Sequence, residues 1–155
     1  MNILVVEDRD DKYVDIVEVV QPALPPGALL TRSKTSVSAI DELGRSEWSL
    51  LLLDMSLDIR TGKVNVSRGG HANLGGLDIV EYLFLFEVSL PTVIITGFDY
   101  FEAARRDERM TELVGLEVIA TTARSQIGDN FLGVVRYQDA GWKNELTKLV
   151  WNWRG

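Results

Sequence analysis

The sequence contains no cysteine and only one histidine, His71, in 155 residues. Without cysteine, the chain cannot form disulfides, thiolate nucleophiles or zinc–thiolate sites. A single histidine also excludes a multi-histidine metal centre within one chain. No apolar run approaches the roughly 18 residues that span a bilayer, and the N-terminus lacks the basic and apolar segments of a signal peptide. We therefore expect a cytoplasmic protein that makes no membrane contact.

Basic residues are outnumbered: the formal net charge is −7 and the sequence pI is about 4.7. This balance argues against a broad basic face for nucleic acid, so no nucleic-acid partner is expected. Hydrophobic residues make up 46% and charged residues 25% of the chain, as in ordinary globular proteins. The length suits one domain spanning residues 1–155.

Apolar runs of strand length alternate with helical patterns along the whole chain. The patterns predict strands at 3–6, 28–31, 50–53, 91–96 and 131–136, and helices at 11–21, 36–43, 77–86, 113–120 and 142–153. Val37 and Ile40 are expected to face inward from the second helix, Gly44 to stop it, and Thr111 to cap the fourth. Such alternation indicates an α/β fold, a doubly wound five-stranded parallel sheet with helices on both faces. The segments 58–76 and 97–130 are longer than ordinary connections, and their role is not readable from the sequence.

Chemically active residues stand where the predicted strands end: Glu7 and Asp8, then Asp54 with Ser56, then Thr96, then Arg136. In a doubly wound sheet, ligands bind at the carboxyl ends of the strands. Clustered carboxylates repel one another, and a hard cation such as Mg²⁺ relieves that repulsion. A carboxylate in such a site can attack phosphorus, while a hydroxyl and a cation stabilise the transferred group. These residue types therefore indicate phosphoryl transfer to an aspartate.

Five segments carry a resemblance to a known family: ILVVED at 3–8, LLLLDMS at 50–56, GLDIVEYL at 76–83, VIITG at 93–97 and GVVR at 133–136. Together they resemble the receiver domains of two-component response regulators, which have a flavodoxin-like fold. The resemblance implies that Asp54 accepts the phosphoryl group and that Thr96 is the switch hydroxyl. It also implies a Mg²⁺ site formed by Glu7, Asp8, Asp54 and the backbone carbonyl of Ser56.

Three positions depart from the receiver pattern. Arg136 stands where receivers carry a phosphoryl-binding lysine, and its planar fork is not equivalent to an ammonium. Tyr137 replaces the proline that usually follows, and Gly133 occupies the usual aromatic switch position. These departures indicate a divergent receiver.

Each candidate residue also has a structural interpretation. Glu7 and Asp8 would be solvated acids at a strand end, and Asp54 would be a capping acid at a strand tip. Arg136 would form a structural ion pair with one of these acids. Asp10 and Asp11 fit the start of the first helix, where acids favour the dipole, although Asp10 could assist a metal through water. His71 is expected in an exposed loop. Its segment GGHANLGG follows no predicted strand, so it does not match a dinucleotide-binding motif.

Three functions remain open at this stage. The first is a stand-alone, non-enzymatic receiver that takes a phosphoryl group from a histidine kinase or phosphotransfer protein and signals to an unknown downstream protein. The second is a pseudo-receiver that binds a partner without phosphorylation. The third is a small phosphatase resembling the haloacid dehalogenase group, with Asp8 as nucleophile and Asp10 as acid/base. Homodimerisation is left open by the sequence.

Overall fold

The computed structural model describes residues 1–57, 72–73, 75–97, 100–104 and 111–154. The predicted loop residues 58–71, including His71, lie outside this part of the chain. Within the described ranges, no helix is both long enough and apolar enough to cross a bilayer.

The described residues form two sheets, and the larger confirms the predicted α/β architecture. The strands in chain order are Asn2–Val6 (β1), Leu29–Ser33 (β2), Leu50–Leu53 (β3), Ala72–Asn73 (β4), Thr92–Thr96 (β5), Tyr100–Ala104 (β6), Thr111–Gly115 (β7) and Phe131–Arg136 (β8). Five of them form a parallel sheet in the order β2-β1-β3-β5-β8. The order reverses direction next to β1, so β1 and β3 are neighbours and their carboxyl ends lie side by side.

The described residues form five α-helices, of which the last follows β8 rather than connecting two strands: Asp10–Val20 (α1), Ser36–Arg45 (α2), Gly75–Leu85 (α3), Leu116–Ile127 (α4) and Trp142–Arg154 (α5). Thr35 caps α2, accepting a hydrogen bond from the Ser38 amide. Two expectations for α2 were wrong. Gly44 lies inside the helix rather than after it, and Val37 is 59% exposed, because the helix turns Ala39 toward the core instead.

The smaller sheet was not anticipated from the sequence. Its order is β4-β6-β7, with β6 and β7 antiparallel. The prediction that Thr111 caps a helix was wrong, since residues 111–115 form β7 and the helix begins at Leu116. Pairing with β6 along five residues satisfies the backbone here, and such tertiary pairing overrides local helical periodicity.

The central strand β3 explains the continuous apolar run at 50–53. Leu51 and Leu53 join the core on one side of the sheet, and Leu50 and Leu52 join the core on the other. A parallel strand covered by helices on both faces needs apolar residues at every position. The polar residue that follows, Asp54, therefore emerges at the point where four buried leucines end.

The start of α3 lies against the chain just beyond β3. The Gly76 amide donates a hydrogen bond to the Met55 carbonyl at 3.2 Å. A Cβ at Gly76 would meet the Asp54 carbonyl oxygen at 2.6 Å and the Met55 Cα at 2.7 Å. Only glycine permits this approach between two backbones.

Gly76→Ala is expected to lower the free energy of unfolding by about 3 kcal/mol, since either α3 or the Asp54 segment must shift. Gly44→Ala is the matched control. Its nearest neighbour is the Tyr82 hydroxyl at 3.8 Å, and alanine in a helix interior should add roughly 0.5–1 kcal/mol. Urea denaturation of both variants tests this, and equal stability of the two would contradict the close packing at Gly76.

Candidate functional site

Three carboxylates meet where β1 and β3 end. Glu7, Asp8 and Asp54 each offer an oxygen, and these oxygens all lie within 4.8 Å of one another. The Asp54 amide donates to the Val6 carbonyl at 2.9 Å, which holds the two strand ends together. Glu7 and Asp54 are buried, and the Asp8 side chain reaches solvent. The structure thus brings together the three acids that the sequence singled out.

Lys12, which the sequence analysis missed, forms ion pairs with two of these acids. The Lys12 Nζ lies 2.7 Å from Glu7 Oε2 and 3.1 Å from Asp54 Oδ1. It also donates a hydrogen bond to the backbone carbonyl of Ile95 at 2.8 Å. The Lys12 side chain is 2% exposed. A charged group is buried to this extent only when it is paired, and here the ammonium combines one hydrogen bond with two ion pairs.

The position of Lys12 follows from the geometry of α1. The buried residues of this helix are Lys12, Ile16 and Val20, four residues apart, so they form one stripe. A lysine in line with an apolar stripe, directly after an acid pair, is a signal that sequence reasoning could have used.

Ser56 also binds the Asp54 carboxylate. Its amide donates to Asp54 Oδ1 at 3.2 Å, and its hydroxyl donates to Asp54 Oδ2 at 2.6 Å. Sequence reasoning had assigned Ser56 a backbone carbonyl ligand. The described contacts add a second role for this residue, because its amide and hydroxyl orient both oxygens of Asp54.

Glu7 is the most electrostatically perturbed group in the site. Burial, together with the negative charge of Asp54, raises the pKa of Glu7 to about 7, against the opposing effect of Lys12. Glu7 Oε1 accepts a hydrogen bond from the Arg9 amide at 3.0 Å. Glu7 Oε2 lies close to Lys12 but accepts no hydrogen bond of good geometry. One ammonium does not satisfy both buried acids, and a carboxylate oxygen in that state suits a further cation.

Arg32, on the neighbouring strand β2, binds the backbone of the loop after β1, which carries Glu7 and Asp8. Its guanidinium donates to the Glu7 carbonyl at 2.9 Å and to the Asp8 carbonyl at 3.0 Å. A third nitrogen reaches Asp10 Oδ1 at 2.6 Å, and Lys34 reaches the same oxygen at 2.8 Å. Those two basic side chains lower the pKa of Asp10. Asp10 is thereby held on the side of Arg32 and Lys34.

Thr96 and Arg136 end the two strands on the other side of Asp54. Thr96 is buried at the end of β5, next to the Lys12-bound Ile95, and its carbonyl accepts from the Tyr137 amide at 2.9 Å. The Arg136 side chain is 46% exposed and lies 3.6 Å from Asp139. Asp139 is not one of the strand-end acids considered as an ion-pair partner for Arg136, and the phosphoryl-contact role stays a prediction.

Tyr137 covers Lys12 from the β8 side. The Lys12 Nζ lies 5.6 Å from the centre of the Tyr137 ring, within the range of a cation–π contact. The Tyr137 hydroxyl donates to Asp15 Oδ2 at 2.6 Å. Burial and this bond raise the pKa of Tyr137 to about 12. The ring lies over the ion cluster, at the position where receivers usually carry a proline.

Comparison with solved structures places this architecture among known folds. The receiver domain of a putative LuxO repressor protein from Vibrio parahaemolyticus matches with a TM-score of 0.60 and 14% identity, covering 99% of this chain and 92% of that one. The receiver domain of an HD domain-containing protein from Pseudomonas fluorescens matches with a TM-score of 0.61 and 15% identity, covering 96% and 90%. The response regulator RcsB of Salmonella typhimurium matches with a TM-score of 0.64 and 14% identity, covering 99% and 60%.

Sequence comparison gives less. No protein-family model matches the chain. An uncharacterized protein of Sinorhizobium fredii, y4jS, is 37% identical over 70 residues, which is 45% of this chain but 17% of that protein. The chain therefore spans less than a fifth of the length of this curated relative. At these identities the structural matches establish the fold, and the chain has the fold of response-regulator receiver domains.

Lys12→Met is expected to lower the free energy of unfolding by about 3 kcal/mol, because it leaves Glu7 and Asp54 buried without their cation. The matched control is Lys34→Met, which removes an exposed lysine paired with Asp10 and should cost about 0.5 kcal/mol. Chemical denaturation at neutral pH measures both. Equal losses in the two variants would show that Lys12 does not stabilise the acidic cluster.

Arg32→Lys tests the hydrogen bonds by which the Arg32 guanidinium holds the loop after β1. Lysine keeps the charge but lacks the fork that reaches two carbonyls and Asp10 together. We expect a loss of about 1–2 kcal/mol in unfolding free energy, as for charge-assisted hydrogen bonds to partly buried groups. Arg45→Lys, at an exposed pair with Asp41, is the control, and a comparable loss there would rule out a special role for the fork.

Proposed function

We propose that this protein is a response-regulator receiver that accepts a phosphoryl group on Asp54 and passes the signal on by contact with another protein. The observation that carries the proposal is the place of Asp54. It is a buried carboxylate at the end of the central strand of a receiver fold, within 4.8 Å of the Glu7 and Asp8 oxygens. Carboxyl ends of parallel strands are where such folds bind ligands and perform chemistry.

The proposed chemistry is a single displacement at phosphorus. An oxygen of the Asp54 carboxylate forms a bond to phosphorus, and the bond from phosphorus to the donor's leaving group breaks. The leaving group takes that electron pair and is protonated in solution, and Asp54 becomes an acyl phosphate. Asp54 is oriented for this by the Ser56 amide and hydroxyl.

Mg²⁺ is the proposed cofactor, and the donor set fits it. Glu7, Asp8 and Asp54 supply hard oxygen ligands, and the backbone carbonyl of Ser56 would complete the protein's share. Glu7 Oε2 is buried and forms an ion pair with Lys12 that lacks the geometry of a hydrogen bond. This oxygen is therefore suited to bind Mg²⁺. Bound at this position, Mg²⁺ would offset the negative charge of the phosphoryl oxygens.

The remaining assignments complete the proposal. Thr96 supplies the hydroxyl and Arg136 a cation for the phosphoryl oxygens, as the receiver resemblance implies. The donor would be a histidine kinase or phosphotransfer protein in the cytoplasm, and the recipient of the signal a downstream protein. The domain would act as a phosphoacceptor rather than as an enzyme with turnover on other substrates.

A pseudo-receiver that never carries phosphate is the second candidate. The observation in its favour is Lys12, whose ammonium offsets part of the charge of Glu7 and Asp54. The phosphatase alternative has less support. It requires Asp10 as the acid/base, but the Asp10 carboxylate accepts hydrogen bonds from Arg32 and Lys34.

Incubation with phosphoramidate and Mg²⁺, followed by intact-mass spectrometry, tests the proposal. The wild type is expected to gain about 80 Da, the mass of one phosphoryl group, and Asp54→Asn to gain nothing. Removal of Mg²⁺ with a chelator should abolish the adduct, since the metal offsets the phosphoryl charge. Asp41→Asn, which changes an exposed acid of α2 paired with Arg45, is the control for nonspecific modification.

Absence of the adduct with phosphoramidate, together with partner binding that is unchanged in Asp54→Asn, would favour the pseudo-receiver. An adduct that persists in Asp54→Asn would place the phosphate on another residue and contradict the assignment of Asp54.

A further inference from the structure

We propose that Lys12, reaching in from α1, is the main cation that contacts the phosphoryl group once it is attached to Asp54, with Arg136 in a lesser role. Until then, Lys12 serves as a built-in counter-ion for Glu7 and Asp54. This inference rests on the proposed function and assigns a catalytic residue to it.

The first argument is position. The Lys12 Nζ lies 3.1 Å from Oδ1 of the carboxylate proposed to react. A phosphoryl group bonded to that carboxylate places its phosphorus one bond, and its own oxygens two bonds, beyond the carboxylate oxygen. The ammonium already in contact with Asp54 is therefore next to the position that the phosphoryl oxygens would take.

The second argument is preorganisation. The Ile95 carbonyl and Glu7 hold Nζ at 2.8 and 2.7 Å, so two of its three contacts persist when Asp54 changes its charge. Lys12 is buried and lies beside the Tyr137 ring. A cation fixed in a water-poor site stabilises developing charge more than one that is solvated. Arg136, paired with Asp139 and 46% exposed, is the more solvated of the two cations.

The third argument is the change in charge during the reaction. Before transfer, the Asp54 carboxylate carries about one negative charge, and afterwards the acyl phosphate carries between one and two, spread over three oxygens. The step takes no proton from Lys12: a bond forms from Asp54 to phosphorus, and the donor's leaving group departs with the electron pair. The ammonium moves its third contact from the carboxylate to a phosphoryl oxygen.

A second consequence concerns the metal. Lys12 places a positive charge among the same carboxylates that would bind Mg²⁺. Removing it should therefore tighten Mg²⁺ binding to the unphosphorylated protein while it slows phosphorylation. A residue with a purely structural role would not move these two quantities in opposite directions.

The experiment compares wild type, Lys12→Met, Lys12→Arg, Arg136→Met and Lys34→Met. Initial rates of adduct formation from phosphoramidate and Mg²⁺ are followed by intact mass. Affinity for Mg²⁺ alone is measured by calorimetry, and near-ultraviolet circular dichroism checks that each variant is folded. If Lys12→Met does not fold, Lys12→Gln takes its place, because the glutamine amide keeps a hydrogen-bond donor at this position but carries no charge.

We expect the initial rate of Lys12→Met to fall on the order of a hundredfold, as when one preorganised donor is removed. Lys12→Arg should recover part of it because the charge is kept, and Lys34→Met should match wild type. The Mg²⁺ affinity of Lys12→Met should rise several-fold, since a like charge has been removed. Arg136→Met should lose less than Lys12→Met.

Three results would overturn the inference. A wild-type rate in Lys12→Met, with a collapse in Arg136→Met, would assign the contact to Arg136 and leave the proposed function intact. A slower rate together with weaker Mg²⁺ binding would show a structural role for Lys12. Failure of the wild type itself to gain phosphate would refute the proposed function, and the inference with it.

Discussion

The pocket depends on one buried ion cluster, in which the Lys12 ammonium lies between Glu7 and Asp54. The order of the sheet makes this cluster necessary. Because β1 and β3 are neighbours, the acids that follow them are forced together away from water, where repulsion between carboxylates is strong. A single ammonium offsets part of that repulsion, and it pairs with Glu7 Oε2 without the geometry of a hydrogen bond. The resting pocket is thus compact but still acidic.

Several elements fix Asp54 around this cluster. The Val6 carbonyl accepts from its amide, and Ser56 donates to both of its carboxylate oxygens. Gly76 lets α3 begin within van der Waals distance of its backbone. Arg32 secures the neighbouring loop by two carbonyls rather than by the acids themselves, which leaves the carboxylates of Glu7 and Asp8 available to a cation. Such support is what holds a reactive group in one geometry.

The departures from the receiver pattern have physical counterparts in the structure. Tyr137, in the place of a proline, packs beside Lys12 and reaches Asp15 on α1. Gly133, in the place of an aromatic residue, faces Leu149 of α5, whose side chain lies 3.2 Å from where a Cβ would be. An aromatic ring would collide with α5 at this point.

The sequence by itself determined the α/β alternation, the buried central strand and the three acids, because strand ends and apolar runs are local patterns that short segments encode. Glu7, Asp8 and Asp54 could be expected to meet from the order of the strands alone. Lys12 could not be assigned in this way, since its role depends on α1 turning one residue of an apolar stripe toward two strand ends and the Ile95 carbonyl. The strand at 111–115 was likewise decided by pairing with β6, which no local periodicity reveals. Only the tertiary structure brings such distant partners together, and burial then makes their charges interact strongly.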